Sequence, residues 1–409
     1  MPDVLVAGKD VILRARIYGD GAWKPVEIVV DGGVVAGVRG VGMPGASGPD
    51  VSLRPDANLV DMSDYYLTPG LVDCHVHLAM DAHSLQDAVK GWPDEAGTAV
   101  RVASRLGAYV RAGVVLVRDG GDAAGIGLAA RRMVGEEAII GPRVVACGRA
   151  LYKKGRYGDF LGPGIGSLDE GRAQLDGAAK DTTHVKICQS GIVSFKRFGE
   201  VGPAQFELDE LTRLIGYAHD KGLSVMVHAS GAEAVDIAVR AGADTVEHGY
   251  FITRETIRLM AERGTVWVPT FSPLANLISR PELLYAGASL DVIRRAVDDH
   301  KGKIAHAYGA GVRLAVGTDA GAVGVEHGAS VYDEIEHMVS AGIARHDVLR
   351  MAVEEGRRVL GDAGAHRDGY LNSWRPGDFF SGVFFRRDPL LCPISMADIE
   401  ATCLPPAII

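Results

Sequence analysis

Residues 67–78 read LTPGLVDCHVHL, and the chain changes character at this point. Before it, residues 4–60 consist of short β-rich runs broken by Gly and Pro, which predicts an antiparallel sheet with a surface loop at residues 42–56. After it, short Val- and Ile-rich runs alternate with longer segments of helical period. Buried parallel strands joined by crossover helices have this pattern. The change therefore predicts a domain boundary near residue 67.

Eight runs after this boundary have the composition of buried strands. Between them, residues 209–222, 231–242 and 253–264 place apolar residues at helical spacing and end in Gly, which is typical of a helix C-cap. Eight strands in this alternation predict a closed parallel barrel. The runs are GLVDCHV (70–76), GVVLVRD (113–119), RVVACG (143–148), HVKIC (184–188), LSVMVHA (223–229), TVEHG (245–249), TVWVPT (265–270) and VRLAVGTD (312–319).

The chain after residue 361 returns to glycine-punctuated β-type sequence. We expect this tail to complete the sheet begun at the amino terminus. The predicted fold is therefore α/β, a (β/α)8 TIM barrel of residues 67–361 with a small β-sandwich domain formed by residues 1–66 and 362–409. The length of 409 residues agrees, because such a barrel takes about 250 residues and leaves room for one accessory domain.

Composition excludes several classes of protein. Apolar residues make up 47% and charged residues 23% of the chain, which is ordinary for a globular protein and excludes a disordered one. The formal net charge of -9 argues against a nucleic-acid partner. No run reaches the roughly 18 apolar residues that span a bilayer, so we expect no membrane partner.

The five cysteines are odd in number and lack CxxC spacing. Buried free thiols in a reducing compartment explain this usage best, so the sequence predicts a cytoplasmic protein. We expect a small-molecule substrate and a homo-oligomeric assembly.

Six ionisable residues lie at or near the ends of five predicted strands. Each alone is weak, since a single histidine in an apolar strand is more often a core or surface residue. Together they favour a site, because active sites of such barrels lie at the carboxyl ends of the strands. Imidazole and carboxylate ligands suit Zn²⁺, and also Mn²⁺ or Fe²⁺. The residues are His75, His77, Lys186, His228, His248 and Asp319.

Lys186 needs separate treatment because a lysine cation cannot bind a metal. A buried lysine with a lowered pKa exists partly as the free amine, and this amine can react with CO₂ to give a bidentate carbamate. Val185 and Ile187 provide the apolar setting that this requires.

The motifs LTPGLVDCHVHL, VKI, VMVHA, VEHG and VGTDAG, in this order, resemble the amidohydrolase superfamily over residues 67–360. They are most similar to its prolidase-like and imidazolonepropionase-related branch, whose members have a binuclear metal centre. The resemblance implies two divalent ions, expected to be Zn²⁺. It implies that His75, His77 and Asp319 bind the more buried ion, that His228 and His248 bind the second, and that carboxylated Lys186 bridges the two.

Such a centre implies hydrolysis of an amide-type C–N bond in a dipeptide or an N-acyl amino acid. Metal-activated hydroxide attacks the carbonyl, and Asp319 carries the proton to the departing nitrogen. Hydrolysis of a cyclic amide remains open on the same chemistry. A deaminase with a single metal is the weaker alternative, because such enzymes generally lack the lysine on the fourth strand. A non-catalytic scaffold predicts missing ligands, and none is missing.

Substrate contacts are predicted from the loops after the strands. Tyr157 occupies the position where many relatives have a histidine that contacts the substrate carbonyl, and its phenol could donate to a developing oxyanion. Ser230 stands where the peptidase group tends to have Tyr, which puts a dipeptidase assignment in doubt. His327 lies in the loop after the eighth run, where the family places pocket residues.

A basic cluster on the loops after the third and fourth strands comprises Lys153, Lys154, Arg156, Lys196 and Arg197. These side chains could be solvated loop charges. Alternatively, they favour a substrate carboxylate, with Arg197 as the clamp, since Arg can bind a carboxylate through two parallel hydrogen bonds. Seven other histidines are predicted to have surface roles, namely His184, His219, His300, His306, His337, His346 and His366.

Overall fold

The computed structural model describes residues 3–6, 11–19, 21–40, 58–361 and 374–404. The predicted loop at residues 42–56 and His366 lie outside these ranges. None of the helices within them is long and apolar enough to cross a lipid bilayer.

The strands belong to three sheets, one of seven, one of four and one of three strands. They are β1 (Asp3–Val6), β2 (Val11–Gly19), β3 (Ala22–Asp31), β4 (Val34–Gly40), β5 (Asn58–Thr68), β6 (Leu71–Val76), β7 (Val114–Asp119), β8 (Arg143–Ala146), β9 (His184–Cys188), β10 (Ser224–Ala229), β11 (Thr245–His248), β12 (Val266–Val268), β13 (Gly382–Phe385) and β14 (Ile399–Leu404).

The seven-stranded sheet is built from both ends of the chain, in the order β1-β14-β13-β5-β2-β3-β4. The tail therefore completes the amino-terminal sheet as the sequence predicted, because β14 pairs with β1 and β13 pairs with β5. The sheet is mixed, so the prediction of an antiparallel sheet was wrong. The sheet is mixed because β5 runs parallel to β2 and β14 runs parallel to β1.

The hairpin between β3 and β4 shows how local sequence sets register. Asp31 pairs with Val34, so the loop is Gly32 and Gly33 alone, with φ of 55° and 83°. A two-residue loop with both central residues at positive φ matches the twist of the strands, and glycine adopts it without steric cost.

The other two sheets are wholly parallel. They have the orders β6-β7-β8 and β12-β11-β10-β9, and every residue of β6, β7, β9 and β11 is buried. Seven of the eight predicted runs are therefore strands. The eighth, residues 312–319, is joined by isolated parallel bridges instead, from Leu314 to Trp267 and, one residue after the run, from Ala320 to Val76. At the end of this run Asp319 leaves the extended conformation, with a φ of 59°.

Helices connect the parallel strands. The three predicted helical segments are confirmed as α5, α6 and α7, and the last two end at Gly242 and Gly264 in the left-handed conformation. The helices are α1 (Leu85–Gly91), α2 (Glu95–Arg111), α3 (Ile126–Gly135), α4 (Leu168–Ala178), α5 (Leu208–Asp220), α6 (Ala232–Ala241), α7 (Arg254–Arg263), α8 (Ser272–Ser279), α9 (Leu290–Gly309), α10 (Ser330–Ser340), α11 (Arg345–Arg350) and α12 (Gly356–Val359).

All five cysteines are free, and all except Cys392 are buried, as predicted. Two histidines contradict their predicted surface roles. His184 is 2% exposed and His300 is 0% exposed. His300 lies on α9 against the rings of Trp267 and Phe271, and its Nε2 donates to the carbonyl of Pro269 at 3.0 Å. The helical spacing did not reveal that this face of α9 is covered.

Burial lowers the pKa of His300 to about 3. Between that value and about 6.5 the unfolded chain binds a proton that the folded protein excludes, so the free energy of unfolding falls as the pH is lowered. We expect His300→Gln, whose amide can still donate to Pro269, to reduce this fall by up to about 1.4 kcal/mol per pH unit. Urea unfolding between about pH 4 and pH 7 measures it. The control is His306→Gln on the exposed face of the same helix. Equal slopes for both variants and the wild type would contradict the assignment.

Candidate metal centre

The structure brings the predicted ligands together at the carboxyl ends of the parallel strands. His75 lies near the end of β6, and His77 directly follows that strand. Lys186 lies within β9, and His248 is the last residue of β11. Asp319 ends the eighth run beside them, with its backbone N–H donating to the carbonyl of His75 at 2.7 Å. Because the strands are parallel, their ends meet at one edge.

Four polar atoms converge on one point. Lys186 Nζ lies 3.0 Å from His75 Nε2 and 3.0 Å from His77 Nε2. Asp319 Oδ1 lies 3.5 Å from each of the same two nitrogens. Ligand atoms of His75, His248 and Asp319 all lie within 4.8 Å of one another. The set therefore has the size of a metal site.

His228 joins this cluster through His248. Their ring centroids are 4.5 Å apart, and the His248 ring lies 5.1 Å from that of His75. The His228 Nε2 donates to the carbonyl of Gly191 at 3.4 Å, so its Nδ1 carries the lone pair.

The orientation of the rings fits metal binding. His77 Nδ1 donates to the carbonyl of Gly121 at 3.1 Å, which leaves the lone pair on Nε2, the atom that faces Lys186. His248 Nδ1 contacts Thr270 Oγ1 at 2.7 Å. Metal-binding histidines usually use the other ring nitrogen for such an outer hydrogen bond. The residues present therefore fit a divalent metal centre.

Burial sets the charge of these groups. Loss of water, followed by the nearby Lys186 cation, lowers the pKa of His75 and of His77 well below the usual range. Loss of water and the neighbouring His228 do the same to the pKa of His248. The imidazoles are thus neutral near pH 7, which is the form that binds metals. Burial raises the pKa of Asp319 to about 7.

Lys186 is 2% exposed. Within the described ranges no carboxylate oxygen lies within 4.0 Å of its Nζ. Lysine is almost never fully buried unless it is paired. The space around it is also tight, because a Cβ at Gly120 would lie 2.9 Å from Lys186 Nζ and 2.7 Å from His77 Cε1. The glycine at position 120 leaves room for both side chains in these positions.

The backbone around the cluster is strained. His248, Thr270 and Asp319 have φ of 68°, 46° and 59°. Non-glycine residues rarely adopt this region, and such strain clusters at functional sites. From these backbone positions, ligand atoms of His248 and Asp319 come within 4.8 Å of each other.

Tyr157 and Ser230 border the cluster. The Tyr157 ring lies 5.3 Å from that of His228, and burial raises the pKa of its phenol well above the usual range. Tyr157 is therefore a hydrogen-bond donor at any ordinary pH. Ser230 is 2% exposed, and its backbone N–H donates to Ser190 Oγ at 3.1 Å. Ser230 directly follows the carboxyl end of β10, two residues after His228.

His327 is buried, and both of its ring nitrogens have protein partners. Nε2 lies 2.8 Å from the Met80 carbonyl, and Nδ1 lies 3.0 Å from the Tyr109 hydroxyl. Burial lowers its pKa to about 4. These contacts anchor the loop after the eighth run to the chain after β6. A contact of this ring with substrate would require one of them to break.

The basic cluster is largely exposed. The Arg197 side chain is 76% exposed and forms an ion pair with Glu200 on the same loop, with Nε to Oε2 at 2.7 Å. Lys153 pairs with Glu210 at 3.0 Å, and Lys196 lies over the ring of Tyr285. Lys154 and Arg156 are exposed. The carboxylate clamp at Arg197 stays a prediction that requires the pair with Glu200 to open.

Three residues of the site were not predicted from the sequence. Glu247 and Arg118 are buried charged residues inside β11 and β7, and Thr270 follows β12. A charge within an otherwise apolar run was the available signal. Arg118 also lines a cavity of about 600 Å³ at the amino ends of the strands, which contains none of the predicted ligands.

The profile of the amidohydrolase family matches residues 66–371. An uncharacterized protein of Mycobacterium tuberculosis is 30% identical over 343 residues, which are 80% of this chain and 85% of that protein. Ochratoxinase of Aspergillus niger is 26% identical over 283 residues, which are 62% of this chain and 58% of that protein.

Two solved structures are similar over nearly the whole chain. A Xaa-Pro dipeptidase with bound methionine in the active site has a TM-score of 0.79 at 24% identity, covering 96% of this chain and 97% of that chain. The A. niger ochratoxinase structure has a TM-score of 0.79 at 21% identity, covering 96% of this chain and 93% of that chain. At these identities the likeness shows the fold alone.

Lys186→Ala tests the predicted bridge. The substitution removes Lys186 Nζ, the atom on which His75 and His77 converge. We therefore expect the metal content per chain to fall and activity to drop by at least about 100-fold. Elemental analysis of purified protein measures the metal. Lys153→Ala is the control, because that lysine pairs with Glu210 outside the cluster. A fully metallated and fully active Lys186→Ala protein would rule out the bridging role.

Proposed function

The chain belongs to the amidohydrolase family and is a hydrolytic enzyme, and we propose that it cleaves an amide-type C–N bond with a pair of divalent metal ions. The observation that carries this proposal is the approach of buried Lys186 to His75 and His77 at 3.0 Å each. The proposed ligands are His75, His77, Lys186, His228, His248 and Asp319.

The proposal includes one closed (β/α)8 barrel that joins both parallel sheets. Hydrogen bonds across each gap support closure. Leu151 bridges to Ile187 between the two sheets, and Leu314 bridges to Trp267. On the other side of the eighth run, the Cys74 N–H donates to the Val316 carbonyl at 2.9 Å. Residues 67–361 would form the barrel, and residues 1–66 with 362–409 the accessory β-sandwich.

The donor set suits Zn²⁺ bridged by a carbamate on Lys186. Such a carbamate forms when the free amine of a lysine reacts with CO₂. With the carbamate, the buried side chain of Lys186 would carry a negative charge, and the two metal ions would balance that charge. When bound, the metal ions supply a water of lowered pKa and polarise the substrate carbonyl.

Asp319 is the proposed proton shuttle. Its side chain is 16% exposed, whereas that of His75 is 0% exposed and that of His77 is 6% exposed. It therefore faces the open side of the cluster, where it can take a proton from the attacking water and deliver it to the departing nitrogen. Without this proton an amide nitrogen leaves poorly.

Tyr157 is the proposed oxyanion donor. Its phenol stays protonated because burial raises its pKa, and its ring lies beside His228. A fixed donor beside the metal position stabilises charge as it develops on the carbonyl oxygen. Tyr157 would therefore take the role of the substrate-contacting histidine in related enzymes.

The substrate class is proposed as a dipeptide or an N-acyl amino acid. The solved Xaa-Pro dipeptidase, which acts on dipeptides, shares the fold at a TM-score of 0.79. The basic cluster around Arg197 supports a free carboxylate near the scissile bond. A homo-oligomeric assembly stays a prediction.

The first test of the proposal assays candidate substrates with the wild-type enzyme and with Asp319→Asn. We expect the zinc-loaded enzyme to hydrolyse Xaa-Pro dipeptides or N-acyl amino acids, and Asp319→Asn to lower kcat by at least roughly 100-fold, which is typical of lost acid–base catalysis. Product amines are measured, with Asp291→Asn on the exposed face of α9 as the control. Turnover of cyclic amides alone would move the substrate to the alternative class, and ammonia release from an amidine would reject amide hydrolysis.

A second test concerns the carboxylate clamp. Wild type, Arg197→Met and Glu200→Gln are assayed with one N-acyl amino acid and its carboxamide. The clamp predicts a preference for the acid that Arg197→Met abolishes and that Glu200→Gln strengthens, because Glu200 competes for the guanidinium. Lys154→Met on the neighbouring loop is the control for total charge. An acid-to-amide ratio that is the same in all four proteins would show that these are solvated loop charges.

A further inference from the structure

Two oppositely charged residues lie inside the buried parallel strands β7 and β11. Glu247 in β11 is 0% exposed, and Arg118 in β7 is 2% exposed. Removing two charges from water costs several kcal/mol each, and a pair of apolar residues of similar volume is often as stable. The pair therefore calls for a role beyond stability.

Arg118 holds one half of the Glu247 carboxylate. Its Nη2 donates to Glu247 Oε1 at 2.9 Å, while its Nε donates to the Cys74 carbonyl at 2.7 Å and its Nη1 to Thr245 Oγ1 at 3.0 Å. Thr245 Oγ1 in turn donates to Glu247 Oε1. These contacts fix the carboxylate between β7, β6 and β11.

The other carboxylate oxygen faces His75. Glu247 Oε2 lies 2.9 Å from His75 Nδ1. The ring N–H is not aligned with that oxygen, and the described part of the chain offers neither atom any other hydrogen-bond partner. On its far side, His75 Nε2 accepts from Lys186 at 3.0 Å, which places the remaining ring proton on Nδ1.

We infer that Glu247 is a positioning residue that accepts the Nδ1 proton of His75 and holds His75 Nε2 toward the metal, with Arg118 and Thr245 fixing the carboxylate. A carboxylate behind a metal-binding imidazole sets its tautomer and orientation, and losing it typically weakens metal affinity 10–100-fold. The inference rests on the proposed metal centre and adds a residue that does not touch the metal.

The competing explanation is that Glu247 only neutralises Arg118. Two double variants separate the two roles, because neither leaves a buried charge unpaired. Arg118→Met with Glu247→Met removes the acceptor from His75. Arg118→Met with Glu247→Gln keeps an amide oxygen that can turn toward His75 Nδ1.

Zn²⁺ affinity is measured by competition with a chelator, together with the thermal unfolding midpoint. We expect the Met/Met variant to bind Zn²⁺ about 10–100-fold more weakly and the Met/Gln variant to recover most of that loss. Glu334→Gln is the matched control. Glu334 is equally buried, but it accepts from the backbone N–H groups of Phe271 and Ser272 rather than from a ligand imidazole. Wild-type affinity in the Met/Met variant, or equal losses in both double variants, would overturn the inference.

A measurement on the wild type guards against variants that do not fold. Nitrogen NMR of the purified protein with isotope-labelled histidine reports the tautomer of each imidazole. The His75 signal is assigned by its absence in His75→Gln. Positioning by Glu247 requires the proton on Nδ1, and a proton on Nε2 would overturn it. If the wild type binds no Zn²⁺, the proposed metal centre fails, while the tautomer still decides the contact between Glu247 and His75.

Discussion

A lysine side chain removed from water and held 3.0 Å from two imidazole nitrogens is the constraint on which the site depends. An amine in that position is tolerated only if its surroundings are polar and fixed, because an unsatisfied buried charge costs far more than a hydrogen bond returns. The parallel strands supply these polar and fixed surroundings. Lys186 comes from β9 and both histidines from the end of β6, and neither segment can move without breaking ladder bonds to its neighbours.

Several features of the chain follow from this arrangement. A side chain at position 120 would displace Lys186 or His77, because its Cβ would lie within 3.0 Å of both. The histidines are neutral because burial removes water from the charged form and, as a smaller cause, because the nearby Lys186 cation would repel a second positive charge, both of which lower their pKa. His248, Thr270 and Asp319 are held at positive φ, at a cost on the order of 1–3 kcal/mol each. The surrounding core, in which the strand residues are buried, offsets that strain.

The site also has a defined inside and outside. His75 is backed by Glu247 and Arg118 within the sheets, whereas Asp319 is partly open to the loops. Groups that orient the centre therefore come from strands, and groups that could select a substrate come from loops. This division explains how relatives that share the fold can differ in substrate, since loops tolerate change and strand interiors do not.

The sequence by itself determined the order of the elements and the members of the cluster. An apolar run ending in a polar residue needs only local periodicity to be seen, and parallel strands bring such ends together, so His75, His77 and Lys186 could be named from the sequence. The partners that tertiary structure decided are different in kind. Glu247 meets Arg118 across 129 positions of chain, and His300 is covered by rings from β12 and the loop after it.

The contacts of Glu247 and of His300 join residues that are far apart in the chain. Such contacts depend on the stagger between strands and on side-chain rotamers. Neither leaves a periodic trace along the chain, because periodicity records which face of an element is buried and not which residue lies against it.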